Sequence, residues 1–167
     1  MSLYFGIPIL LFASVIQSTW LENIRILGAH PDLVLLLTIT WGIIRGAQDG
    51  AVWGFIGGLF CDVLSASPLG VWTLVLTIVG FLAGQPWVHA LGPTVIRLAM
   101  LSAVGTLAGH ALLLVIMVLL DYPVNFWYSI QTIAGPAAFL NVVLSPFAFT
   151  FLVWFHKRSQ RTTGGFV

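Results

Sequence analysis

TVIRLAMLSAVGTLAGHALLLVIMVLL, Thr94 to Leu120, runs for 27 residues with one charge, Arg97, near its start. At 1.5 Å per residue it is long enough as a helix to cross the hydrocarbon core of a bilayer. The rest of the chain has the same character: 59% of its 167 residues are hydrophobic, 7% are charged, and the mean hydropathy is +1.06. So little polar surface cannot cover a soluble domain of this size. The sequence therefore predicts an all-α integral membrane protein with no soluble catalytic module.

Working outward from that run, five further apolar segments can be marked: Leu3 to Trp20, Pro31 to Ile44, Ala51 to Leu64, Leu69 to Leu91 and Ile133 to Phe155. Pro31, Pro68 and Pro93 stand at or just before segment starts, where a missing N–H is best tolerated. The expected architecture is a six-helix bundle over residues 1–156, followed by a short basic tail, 157–167. The second and third segments fall short of the ~20 residues of a perpendicular span and are expected to lean on neighbours. The first lacks a basic leader and a small-residue cleavage site, and is expected to be retained as a span.

Basic residues set the orientation. With six spans and both termini in the cytoplasm, Arg45, Arg97, Lys157, Arg158 and Arg161 lie inside and only Arg25 outside. The reverse placement would invert that bias, so an N-in, C-in topology is expected. All seven tryptophans fall near expected interfaces: Trp20, Trp72 and Trp127 at the outer one, Trp41, Trp53, Trp87 and Trp154 at the inner one. Phe126, Trp127 and Tyr128 in the fifth connection read either as a segment lying on the membrane surface or as loop aromatics packed on a helix. The basic tail is too short to argue for nucleic acid. The single cysteine, Cys61, can form neither an internal disulfide nor a cysteine metal site.

Two features carry local information. Gly46, Gly50, Gly54 and Gly58 recur every four residues, a spacing that lets helix backbones approach closely, inside the bundle or against a partner's helix. On this basis Gly50, Gly54 and Gly58 are expected contact residues, and Gly58→Leu is expected to matter more than Asp62→Asn. The second feature is the set of costly intramembrane polar groups: Gln17, Asp62, His110 and Asn141. They form no catalytic or metal-binding pattern by spacing, and the lone His110 reads as an interhelical hydrogen-bonding group. Asp62 stands near a helix C-terminus, where the macrodipole disfavours it. An anchor for the following turn, from Ser65 to Gly70, is the favoured role, with pairing to Arg25 and a substrate or proton role as alternatives.

Pro31-Asp32-Leu33, Arg45-Gly46, then Gly54-Phe55-x-x-Gly58-Leu59-x-x-Asp62-x-x-Ser65 and Pro68-Leu69-Gly70 together resemble the rod shape-determining protein MreD family of bacteria. That resemblance makes Pro31, Asp32, Asp62, Ser65, Leu69 and Gly70 motif residues. It implies a non-enzymatic scaffold of the inner (cytoplasmic) membrane, without cofactor or metal, acting in lateral peptidoglycan synthesis. The implied partners are MreC directly, and through the complex MreB, RodA and a class B penicillin-binding transpeptidase, besides membrane lipid. It also implies an architecture similar to the six-helix substrate-binding subunits of energy-coupling vitamin transporters. A small-molecule transport subunit, with its ligand in the outer half near Asp62 and Asn141, is the rival from another class.

Overall fold

In the computed structural model, which describes residues 3–21, 30–65 and 68–163, every regular element is helical. The helices are α1 (Leu3–Ile16), α2 (Leu33–Arg45), α3 (Ala47–Leu64), α4 (Val71–Ala83), α5 (Thr94–Leu119), α6 (Phe126–Ser129) and α7 (Gly135–Thr163). Wide π turns extend α1 through Leu21 and lead into α7 from Ile130, and a 3₁₀ turn spans Pro86–Leu91. The stretches Thr94–Leu119 and Trp127–Arg158 are long and apolar enough to cross a membrane. Only 22% of each one's apolar window is buried within the protein, so both helices keep much apolar surface at the outside, unlike the core helix of a soluble domain.

α2 is the opposite case. Every residue from Val34 to Ile43 is buried, and α1, α3, α4, α5 and α7 all pack against it. A helix apolar on all sides belongs in the centre of a bundle. Its 13 residues span about 20 Å, less than the hydrocarbon core, but its sides from Val34 to Ile43 are covered by protein rather than lipid.

α2 and α3 are separated by Gly46 alone, at φ 98° and ψ 177°, a conformation that disfavours any residue with a Cβ. Arg45 and Asp49 bridge this break with a 2.9 Å ion pair. α3 then crosses α4 at backbone contact. A Cβ on Gly54 would overlap the Leu76 carbonyl, and one on Gly58 would overlap Trp72 and Thr73 backbone atoms. Gly50 and Gly80 face each other's carbonyls in the same way, and Gly84 rests on Gly46 and Ala47. Of the two roles open to Gly50, Gly54 and Gly58, the geometry gives the internal helix contact. All three are buried, and the α4 backbone occupies the place a partner's helix would need.

Several details differ from the sequence-based expectation. The fourth helix stops at Ala83 rather than Leu91, because Gly84 and Pro86 interrupt it. The fifth connection is helical from Phe126 and merges into the last helix, with Trp127 and Tyr128 exposed on its first turns. The basic tail is helical through Thr163, with the Arg158 guanidinium 5.5 Å from the Trp154 ring centroid. Trp41 and Trp53 do not face outward to lipid. They are 2% and 1% exposed and stacked, with centroids 4.3 Å apart, because facing small residues such as Gly6 leave room for indoles inside the bundle. Arg25 lies outside the described residues.

Candidate functional site

Two buried carboxylates stand at the end of the bundle opposite Arg45, each beside a helix N-terminus that lacks its own side-chain cap. The first four amides of a helix have no partner within it, and in a membrane interior water cannot supply one. The cap position of α4 is Gly70, which has no side chain to offer. Asp62, from the last turn of α3, does the work instead. Its Oδ2 accepts from the Gly70 and Thr73 amides at 3.0 Å each and from the Thr73 hydroxyl at 2.6 Å, while Oδ1 accepts from the Trp72 amide at 2.9 Å. The carboxylate is disfavoured by the α3 macrodipole and favoured by that of α4, and four donors settle the balance.

The second carboxylate, Asp32, is 1% exposed and occupies the capping position of α2 without capping it. The orphan amides there are satisfied by other helices. The Asp32 amide donates to Asn141 Oδ1 of α7 at 2.9 Å, and the Val34 amide to Gln17 Oε1 at 3.2 Å. Gln17, carried on the π turn that ends α1, also gives its Nε2 hydrogen to Asp32 Oδ1 at 3.1 Å. Asn141 is fixed by donating to Thr106 Oγ1 of α5 at 2.9 Å. The other carboxylate oxygen, Oδ2, has no hydrogen-bond donor, and its nearest basic atom is His110 Nε2 at 3.5 Å.

The histidine's other nitrogen fixes what that contact requires. His110 Nδ1 lies 2.9 Å from the Thr106 carbonyl, an acceptor only, so the hydrogen of a neutral ring belongs on Nδ1. A bare Nε2 would then face a carboxylate, and the contact is attractive only with a proton on one of the two. The Trp72 ring meets His110 edge-on at 6.2 Å while its amide is bonded to Asp62, so one residue touches both carboxylate systems. His110 is nine residues, about 13 Å, before the end of α5, so this knot lies well within the depth that α5 spans.

Against known families, residues 1–158 of the 167 match the rod shape-determining protein MreD. The chain belongs to the MreD family. Comparisons with curated proteins and with solved structures found no match. Family and fold together make this a helical membrane protein of rod-shape determination.

In this MreD-family chain the motif residues divide between the two systems. Pro31 and Asp32 lead into α2; Asp62, Ser65, Leu69 and Gly70 surround the start of α4. Ser65 ends α3, its amide bonded to the Cys61 carbonyl at 2.8 Å, and Leu69 projects outward at 80% exposure. Of the polar residues singled out by cost, Gln17, His110 and Asn141 come together around Asp32, whereas Asp62 serves its own turn. Sequence reasoning missed Thr106 and did not join Asp32 to the other three. One signal was available: Ser102, Thr106 and His110 recur every four residues, marking a polar stripe on one face of α5. Among the described residues no group of three or more His, Cys, Asp or Glu is placed to hold a metal ion.

Proposed function

We propose that this chain is a non-enzymatic, six-span component of the bacterial inner membrane that supports lateral peptidoglycan synthesis by binding MreC. In this reading it reaches RodA, the class B transpeptidase and the MreB filament through the complex. α1, α2, α3, α4, α5 and α7 are the six spans, arranged as in substrate-binding subunits of energy-coupling transporters. The observation that carries it is the family match along residues 1–158. The cross-capped helices add support, since they suit a rigid platform on which a partner docks.

The transport reading puts a ligand among the outer polar residues, and is weighed against cavity size there; the larger cavity of about 670 Å³, between α1, α2 and α7, is lined by apolar side chains. The polar cavity beside Asp32 has a volume of about 120 Å³, whereas pockets for vitamin-sized molecules occupy roughly 300–1,000 Å³. Copurification from a mild detergent extract tests the choice. MreC is the expected companion; an energy-coupling ATPase pair in its place would overturn the scaffold reading. Orientation is tested separately, with alkaline phosphatase inactive when fused after Arg161 and active at Asn125.

A further inference from the structure

The cavity beside Asp32 is lined by Ser14, Gln17, Ser18, His30, Cys61, Leu64, Ser65 and Trp72 as well as Asp32 itself. Two of its serines turn their hydrogens away from it. The Ser14 hydroxyl donates to the Leu10 carbonyl at 2.8 Å and the Ser18 hydroxyl to the Val15 carbonyl at 3.2 Å, so both oxygens keep lone pairs rather than hydrogens for the cavity. Gln17 spends an amide hydrogen on Asp32 Oδ1. His30 Nδ1 is buried without a partner, and so is Asp32 Oδ2. No lysine or arginine occurs among the described residues of the wall. A buried carboxylate oxygen without a donor is costly: the two serines spend their hydrogens elsewhere, and His110 Nε2 approaches Oδ2 only to 3.5 Å from outside the cavity wall.

We propose that this cavity is a binding site for a compact, hydrogen-bond-donating cation of the primary ammonium class, held by Asp32. The group arrives either as a free small ammonium ion or as the head of an amine-bearing lipid. Size and chemistry both favour it. About 120 Å³ corresponds to roughly four water molecules at ~30 Å³ each, which admits an ammonium group and its nearest carbons. Its N–H groups match the free lone pairs, and the Trp72 indole provides a ring of the kind that attracts such cations. A quaternary ammonium is bulkier and has no hydrogen to donate, so it is excluded. The site does not depend on the MreC-binding role.

The test uses the full-length protein in lipid nanodiscs, with thermal unfolding as readout. In phosphatidylglycerol discs, methylammonium chloride is compared with tetramethylammonium chloride at equal ionic strength. Methylammonium is expected to raise the midpoint by about 2–4 °C over tetramethylammonium at roughly five times its dissociation constant. A free ion as the ligand gives that shift with no added effect of phosphatidylethanolamine. A lipid head gives stabilisation by phosphatidylethanolamine discs, with methylammonium then adding nothing. Asp32→Asn abolishes the difference in either case. Ser18→Leu, which fills the cavity from its partly exposed wall and leaves the carboxylate in place, abolishes it too. No difference between the two cations and the two lipids in the wild type, or a difference kept in both folded variants, overturns the proposal.

Discussion

Asp62 and Asp32 are alike in residue type, in burial and in standing beside a helix N-terminus, yet their surroundings divide sharply. Asp62 receives four donors from one short stretch, Gly70 to Thr73. Asp32 receives one, from Gln17, and keeps an oxygen that no hydrogen bond reaches. A satisfied carboxylate is a joint; an unsatisfied one stores a demand that a proton or ligand can meet. The difference separates a part that holds the fold from a part available for function.

The contrast breaks first at Asp62. Asparagine offers one acceptor oxygen where two are in use, and its amide would point hydrogens at backbone N–H groups. At ~1–3 kcal/mol for each orphaned donor, Asp62→Asn should cost roughly 3–5 kcal/mol, read as lost folded protein or a lowered thermal midpoint in detergent. Gly58→Leu comes next. Its side chain collides with Trp72 and Thr73 backbone, the same turn that Asp62 holds, and overpacking of this kind costs about 1–3 kcal/mol. Combining the two substitutions sharpens the point, because both act on one crossing and their sum should exceed the double variant's loss.

Asp32→Asn should have a smaller effect on stability, within about 1 kcal/mol, because the amide oxygen can still accept from Gln17 and a new N–H can face His110. Rod shape in complemented cells should nevertheless fail at normal protein levels. Wild-type morphology with stable Asp32→Asn protein would erase the proposed division between the two carboxylates. The smallest change is expected from His110→Gln, below about 1 kcal/mol, since its 3.5 Å contact to Asp32 is long and only the bond to the Thr106 carbonyl is short.

What the sequence disclosed follows this division. The α3 stripe and the turn after Asp62 were readable because their parts lie within a few residues of one another: glycines at four-residue spacing, and donors 8 to 11 residues after the carboxylate. Spacing alone ranks Gly58 above Asp62, because it does not show that four donors converge on that one side chain. Asp32 was not readable as a centre. Its partners stand 15 residues away in Gln17 and 109 away in Asn141, distances at which only helix packing decides who meets whom. Trp41 and Trp53 went unread for a related reason: tryptophan near a helix end suits a headgroup layer, and only the opposing Gly6 shows that room exists inside.

The one-residue link at Gly46 bears on how the chain is built during synthesis. α2 is too short to span alone, has no lipid-facing side, and has its first amides bonded by Gln17 and by Asn141, the latter made more than a hundred residues later. Joined to α3 by a single glycine and clamped by Arg45 and Asp49, it is expected to enter a bilayer as half of a hairpin. Its N-terminal amide then waits for α7 to emerge from the ribosome. Ribosome-bound chains that end before Asn141 should leave the Asp32 amide without its partner, so the last helix is expected to complete the capping of α2.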